Sequence, residues 1–181
     1  MDTKLTGKTR IESDLIGARE IPAEALYGVQ TLRGIENFSI SKFRLSEYPL
    51  FIKGLAITKM AAAMANFELG LLTVEQKDAI IAACGEILDG KHHDQFPVDM
   101  IQGGAGTTTN MNANEVIANR ALELMGHERG EYQYCSPNDH VNCSQSTNDA
   151  YPTAIHIGMY FKHLQLLSLI HISEPTRPIS I

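Results

Sequence analysis

The chain has 181 residues, of which 44% are hydrophobic and 20% charged, and its formal net charge is −6 at pH 7. This composition supports a folded core and argues against intrinsic disorder and against nucleic acid as a partner. Residues 1–10 lack the apolar region of a signal peptide, and no run of about 20 uncharged apolar residues predicts a membrane span. Because three scattered cysteines suit reduced thiols, we expect a cytoplasmic protein without membrane contact.

The first part of the chain is irregular and then becomes helical. The first 45 residues include β-prone runs such as 25–29, which predict a small hairpin or an extended arm. Apolar residues keep helical spacing from 49 to 71. Thr73 and Gln76 match a capping box that opens a second helix, and Gly90 ends it.

Two more helices complete the predicted elements. The third runs from about 110 to 125, and the fourth begins near 148 and keeps its period to 168. Residues 169–181 contain two prolines and abandon the helical pattern, because proline inside a helix costs about 3 kcal/mol. The sequence therefore predicts a mainly α fold with a short β element and an unrelated tail.

The start of the fourth helix is unusually rich in small polar residues. Ser146, Thr147 and Asn148 all favour N-cap positions, and Pro152 suits a first helical turn. A helix N-terminus carries partial positive charge and free N–H donors, so it attracts carboxylates. An ordinary capped helix is the alternative interpretation.

A second polar segment, 103–115, opens the third helix. Its glycines permit close approach of a ligand, and Thr107 and Asn110 supply hydroxyl and amide groups. It lacks the lysine of a P-loop and the strand that precedes a dinucleotide fingerprint. The two helix starts are therefore predicted to converge on one small dianion.

These residues resemble the aspartase/fumarase superfamily, and its aspartases more closely than its fumarases. The resemblance is collinear over roughly residues 10–168, and it includes the Ser-Thr-Asn-Asp run at 146–149. The matching stretches are 27–33, 36–38, 94–99, 102–115, 130–134, 137–142 and 145–152.

The resemblance implies a division of the chain. Residues 1–147 are expected to form the N-terminal lyase domain, and 148–168 the start of a long helix of the central bundle. Family members continue that helix, so 169–181 departs from the pattern and is interpreted as a foreign continuation. A genuine short form is the alternative.

The resemblance also implies a reaction, the interconversion of L-aspartate with fumarate and ammonia, without a cofactor or metal. A proton leaves the carbon next to a carboxylate, which becomes a dianionic aci-carboxylate, and preorganised donors stabilise that charge. By position, Thr107, Ser146 and Thr147 are expected to bind this carboxylate. Asn148, with Thr107, is expected to bind the departing amino group.

The catalytic base implied by the family is a serine in a flexible loop that lies beyond this chain. Family members also assemble each site from three subunits of a homotetramer. We therefore expect an inactive fragment of an aspartase. Two alternatives remain, a fragment of another family lyase such as fumarase and a non-catalytic helical interaction module.

Aspartases and fumarases differ at a few positions of these motifs. Fumarases usually have Ser where this chain has Ala105, and His where it has Ser136. Both differences, with Gly104 and His140, favour an aspartase.

Other candidate residues have ordinary interpretations. His92 and His93 are interpreted as solvated loop residues, and His140 with Cys143 lacks the second pair of a zinc site. Arg33 is expected to pair with Glu36 at the surface rather than to face an anionic substrate. Asp139 and Asp149 are expected to serve as caps rather than as general acids or bases.

Overall fold

The computed structural model describes residues 7–173, with side chains through 169. It begins with an antiparallel hairpin of β1 (Thr9–Asp14) and β2 (Gly17–Pro22). Asp14 closes the turn, because its Oδ1 accepts from the N–H groups of Ile16 and Gly17. The predicted hairpin is therefore present, but its strands precede the β-prone run 25–29. Residues 25–28 of that run are irregular, and Val29 begins a helix.

That helix, α1 (Val29–Asn37), was not predicted from the sequence. The N-cap residue, Gly28, has no side chain that could accept from the first N–H groups of the helix. A buried carboxylate from a helix distant in sequence accepts from them instead. Glu115 accepts from the N–H groups of Gly28, Gln30 and Thr31 at 2.8–3.0 Å. Burial raises the pKa of Glu115 despite these bonds. A long-range contact thus determines where α1 begins.

Four longer helices form the core. They are α2 (Pro49–Glu68), α3 (Val74–Leu88), α4 (Thr107–Leu124) and α5 (Thr147–Ser173). Helix α2 packs against both α3 and α5, while α4 is buried along most of its length against α3 and α1. The close contact of α2 with α5 requires Gly54, because a Cβ there would overlap the carbonyl of Ala154.

Helix α2 is the one helix among residues 7–173 that is long and apolar enough to cross a membrane by length and composition. Its buried face contributes Ile52, Leu55 and Ala63 to the common core.

All four predicted helices are confirmed, with small shifts of their bounds. The capping box of α3 is present, because Thr73 and Gln76 exchange hydrogen bonds of 3.1–3.2 Å. The prediction for Pro152 is wrong: it lies in the second turn of α5, where it cannot donate to the carbonyl of Asn148. The helix also continues to Ser173, past the predicted break at 169. Residues 174–181 lie outside the described part, and the domain division stays a prediction.

Candidate functional site

The two polar helix starts lie against each other. Gly106, the residue before α4, has a φ of +84°, and any Cβ there would overlap the ring of Tyr151 in α5. One turn into α4, Asn110 Nδ2 donates to Thr147 Oγ1 at 3.3 Å. The predicted convergence of the two segments is therefore present.

The four predicted site residues differ in whether their side chains form hydrogen bonds within the chain. Ser146 occupies the N-cap position of α5, and its Oγ accepts from the N–H of Asn148 at 3.2 Å. Thr147 is half-buried and accepts from Asn110. Thr107 and Asn148 are exposed, and within residues 7–173 their side chains form no hydrogen bond. Free donors and acceptors therefore face solvent at both helix starts.

A buried lysine beneath these helix starts is not among the sequence-predicted site residues. Lys59 of α2 is 0% exposed, and its Nζ donates to Asn110 Oδ1 at 2.7 Å, Asn142 Oδ1 at 2.9 Å and Gln145 Oε1 at 3.0 Å. No carboxylate of the described residues pairs with this amine. Burial lowers the pKa of Lys59 to about 7. The sequence signal was a lysine in register with Ile52 on the apolar face of α2.

The loop 142–145, which leads into α5, is fixed by the same amides. Asn142 Nδ2 donates to the carbonyl of Gln145 at 3.0 Å, and Gln145 Nε2 donates to the carbonyl of Val141 at 2.9 Å. Ser144 has a φ of +56°, a left-handed conformation that non-glycine residues rarely adopt. Strain of this kind persists where the surroundings over-determine the backbone. The position of Ser146 and Thr147 therefore depends on part-buried polar contacts as well as on helix propensity.

The histidines are not simply solvated, contrary to the prediction. His92 Nε2 lies 2.7 Å from Glu86 Oε2, and His93 Nε2 lies 2.9 Å from the carbonyl of Ile87. His140 Nδ1 accepts from the N–H of Ser136 at 2.7 Å. Among residues 7–173, no cluster of three or more potential metal ligands is present.

The predicted partner of Arg33 is wrong. Arg33 forms a bidentate pair with Asp14, with two contacts of 2.8 Å, and Glu36 instead contacts Arg19 at 3.5 Å. The Arg33 guanidinium lowers the pKa of Asp14 to about 2. This pair joins the hairpin to α1.

The prediction that Asp139 and Asp149 serve as caps is wrong, because no backbone N–H of the described residues donates to either carboxylate. Asp139 lies in the short π-helix Pro137–Val141, where Ser136 is the N-cap, and its carboxylate accepts from Ser136 Oγ at 2.9 Å. Asp149 is exposed in the first turn of α5.

Comparison with known proteins identifies relatives of the chain. A family model described as Lyase matches residues 17–171. The aspartate ammonia-lyase of Helicobacter pylori strain J99 is 64% identical over 151 residues, which are 83% of this chain and 32% of the relative. That of Escherichia coli K12 is 57% identical over 168 residues, 92% of this chain and 35% of the relative. The chain thus spans about a third of the length of these curated relatives.

Solved structures have the same fold. A fumarate lyase:delta crystallin from Brucella melitensis matches with a TM-score of 0.89 and 52% identity, over 91% of this chain and 36% of that one. A class II fumarase from Schistosoma mansoni matches with a TM-score of 0.80 and 38% identity, over 86% of this chain and 32% of that one. Together with the match of the family model over most of the sequence, these similarities show that the chain belongs to the lyase family of the aspartase/fumarase superfamily.

Proposed function

We propose that this chain supplies the substrate-carboxylate side of an aspartate ammonia-lyase active site, which interconverts L-aspartate with fumarate and ammonia. The observation that carries the proposal is the meeting of two helix N-termini, where Asn110 of α4 contacts Thr147 of α5. The curated relatives named above are aspartate ammonia-lyases, which supports this substrate.

The proposed chemistry follows from where charge develops. Removing the proton next to a carboxylate places a second negative charge on that carboxylate, and helix N–H groups with Ser and Thr hydroxyls stabilise it without titrating. In this proposal Thr107, Ser146 and Thr147 bind the aci-carboxylate. Asn148 binds the amino group as it departs.

The base and the remaining walls of the site come from outside the described residues. The resemblance to aspartases implies a mobile serine loop and a homotetramer in which three subunits form each site. Exposure of Thr107 and Asn148 is consistent with a surface that other segments cover. The proposal therefore expects no turnover by the chain alone, and it places the complete protein in the cytoplasm.

The test uses a completed protein, in which the chain is joined to the part of the Escherichia coli aspartate ammonia-lyase that it does not match. Ammonia release from L-aspartate is measured for the chain alone, the completed protein and two variants. In the completed protein, Thr147→Ala and Asn148→Ala should each lower kcat/KM by roughly 10²–10³, the scale for losing one donor to a developing anion.

Three outcomes contradict the proposal. The chain alone turns over L-aspartate as fast as the completed protein, or both variants keep full activity, or the completed protein acts on L-malate rather than on L-aspartate. The last outcome favours the fumarase alternative, for which the similarity to the Schistosoma mansoni fumarase is the supporting observation.

A further inference from the structure

The contacts of Lys59 determine which way three side-chain amides point. Below its pKa of about 7 the Lys59 amine is protonated and has three N–H donors and no acceptor, so each atom that faces it within hydrogen-bonding distance must be an oxygen. The neutral amine present above that pH still donates to two of these atoms. The three partners, at 2.7–3.0 Å, are the amide oxygens of Asn110, Asn142 and Gln145. The amine therefore excludes the flipped orientation of each amide, which sequence alone leaves open.

For Asn110, this orientation decides what the other end of the amide does. With Oδ1 on Lys59, Nδ2 faces the start of α5, where it lies 3.0 Å from Asn142 Oδ1 and 3.3 Å from Thr147 Oγ1. An amide nitrogen only donates. Thr147 is thereby the acceptor in this contact.

A threonine hydroxyl that accepts one hydrogen bond still has its own hydrogen to donate. Because Asn110 supplies a donor on one side of Thr147 Oγ1, that hydrogen is directed away from Asn110. Were the amide reversed, the hydroxyl would donate to Asn110 and present a lone pair to an approaching carboxylate. The direction of one buried amide thus decides whether Thr147 attracts or repels an anion.

We infer that Lys59 and Asn110 are positioning residues, which keep the Thr147 hydroxyl as a donor toward the substrate carboxylate. Neither residue touches the carboxylate itself. The inference rests on the proposed function for the identity of that carboxylate, whereas the direction of the amides rests on the geometry alone.

The sharpest test is Asn110→Asp in the completed protein. Aspartate has the same size and accepts from Lys59 as asparagine does, but it has no N–H to donate to Thr147. The substitution also removes the donation from Asn110 Nδ2 to Asn142 Oδ1. We expect only a modest fall in the melting temperature, because the Lys59 contact becomes an ion pair and offsets part of this loss. We expect kcat to fall at least about tenfold with a smaller change in KM, because the lost donor acts on charge that develops during the reaction.

The companion variants act at Thr147. Thr147→Val removes the hydroxyl at constant shape, while Thr147→Ser retains it. If Asn110 acts through this hydroxyl, Asn110→Asp should reduce kcat strongly in the Thr147→Ser background and hardly at all in the Thr147→Val background. Equal losses in both backgrounds, or an Asn110→Asp variant with full kcat, would overturn the inference.

A second measurement does not depend on activity and uses the chain itself. Hydrogen exchange of the Asn110 side-chain N–H groups, followed by NMR, should be slower than that of the exposed Asn148. Lys59→Met should accelerate it at least about tenfold, because the amide loses the partner that fixes it. Exchange as fast as at Asn148 in the unmodified chain would refute the positioning role. Slow exchange in a completed protein without ammonia release would refute the proposed function alone.

Discussion

A lysine amine buried without a carboxylate loses its hydration and keeps only the hydrogen bonds that the protein supplies. For Lys59 these are three neutral amide oxygens, and burial lowers its pKa to about 7. The folded chain therefore binds the proton less tightly than the unfolded chain, whose lysine has the ordinary value of 10.5. The free energy of unfolding of the chain therefore depends on pH through Lys59.

The linkage predicts how the free energy of unfolding changes with pH. Between pH 7 and 10.5 the unfolded state retains the Lys59 proton and the folded state has released it, so stability should rise with pH. Denaturant unfolding should show that the free energy of unfolding rises by on the order of a few kcal/mol across this pH window. The Lys59→Met variant should not show this rise. Lys53→Met, on the same helix but half-buried at the surface, is the control. An identical pH dependence in the Lys59→Met variant would contradict the prediction.

At the scale of elements, the site depends on how closely α4 and α5 approach. Gly106 permits this approach in two ways, because its positive φ is strained for other residues and because Tyr151 occupies the space of a Cβ. Tyr151 itself packs edge-on against Phe51 of α2, with ring centroids 5.5 Å apart. A change at Gly106 is therefore transmitted to both neighbouring helices.

Substitutions of Gly106 and Gly126 by alanine, compared with each other, separate the effect of the positive φ from the effect of overlap with Tyr151. Gly126 has nearly the same φ, +82° against +84°, but no atom lies within 4 Å of its hypothetical Cβ. Gly126→Ala should lower the free energy of unfolding by about 1–2 kcal/mol, because alanine is strained at this positive φ. Gly106→Ala should lower the free energy of unfolding by about 1–3 kcal/mol more than Gly126→Ala does, because the ring of Tyr151 must also move. Urea unfolding measures both, and equal losses would mean that the Tyr151 contact does not matter.

At the scale of the whole molecule, α5 continues past the core with apolar side chains on its surface. Met159 is 62% exposed, Leu164 45% and Leu167 39%. Met159 also lines a groove of about 660 Å³ between the beginning of α2 and α5. Contiguous exposed apolar surface of this kind promotes association of chains.

The chain is accordingly expected to self-associate as its concentration rises. Replacing Met159 and Leu164 together by Glu should shift the average mass from light scattering toward the monomer, because charge interrupts the apolar surface. Met64→Glu, at a position 50% exposed on α2, is the matched control and should leave association in place. A chain that stays monomeric at high concentration would count against this expectation.

The sequence by itself determined the helical parts of this protein. The periodic runs and the Thr73 capping box predicted α2 to α5, because periodicity and caps are local properties of a chain. The polar segments at Thr107 and at 146–148 were also found locally, since N-cap chemistry needs only neighbouring residues. Their roles in binding stay proposals.

Only the tertiary structure decided the features that depend on distant partners. Helix α1 begins where Glu115 accepts its N–H groups, and Arg33 pairs with Asp14 rather than with its near neighbour Glu36. Lys59 is surrounded by three side-chain amides from distant parts of the chain, which the sequence of α2 does not indicate. Such contacts join residues tens of positions apart, and a periodic pattern records which face of a helix is buried but not what that face meets.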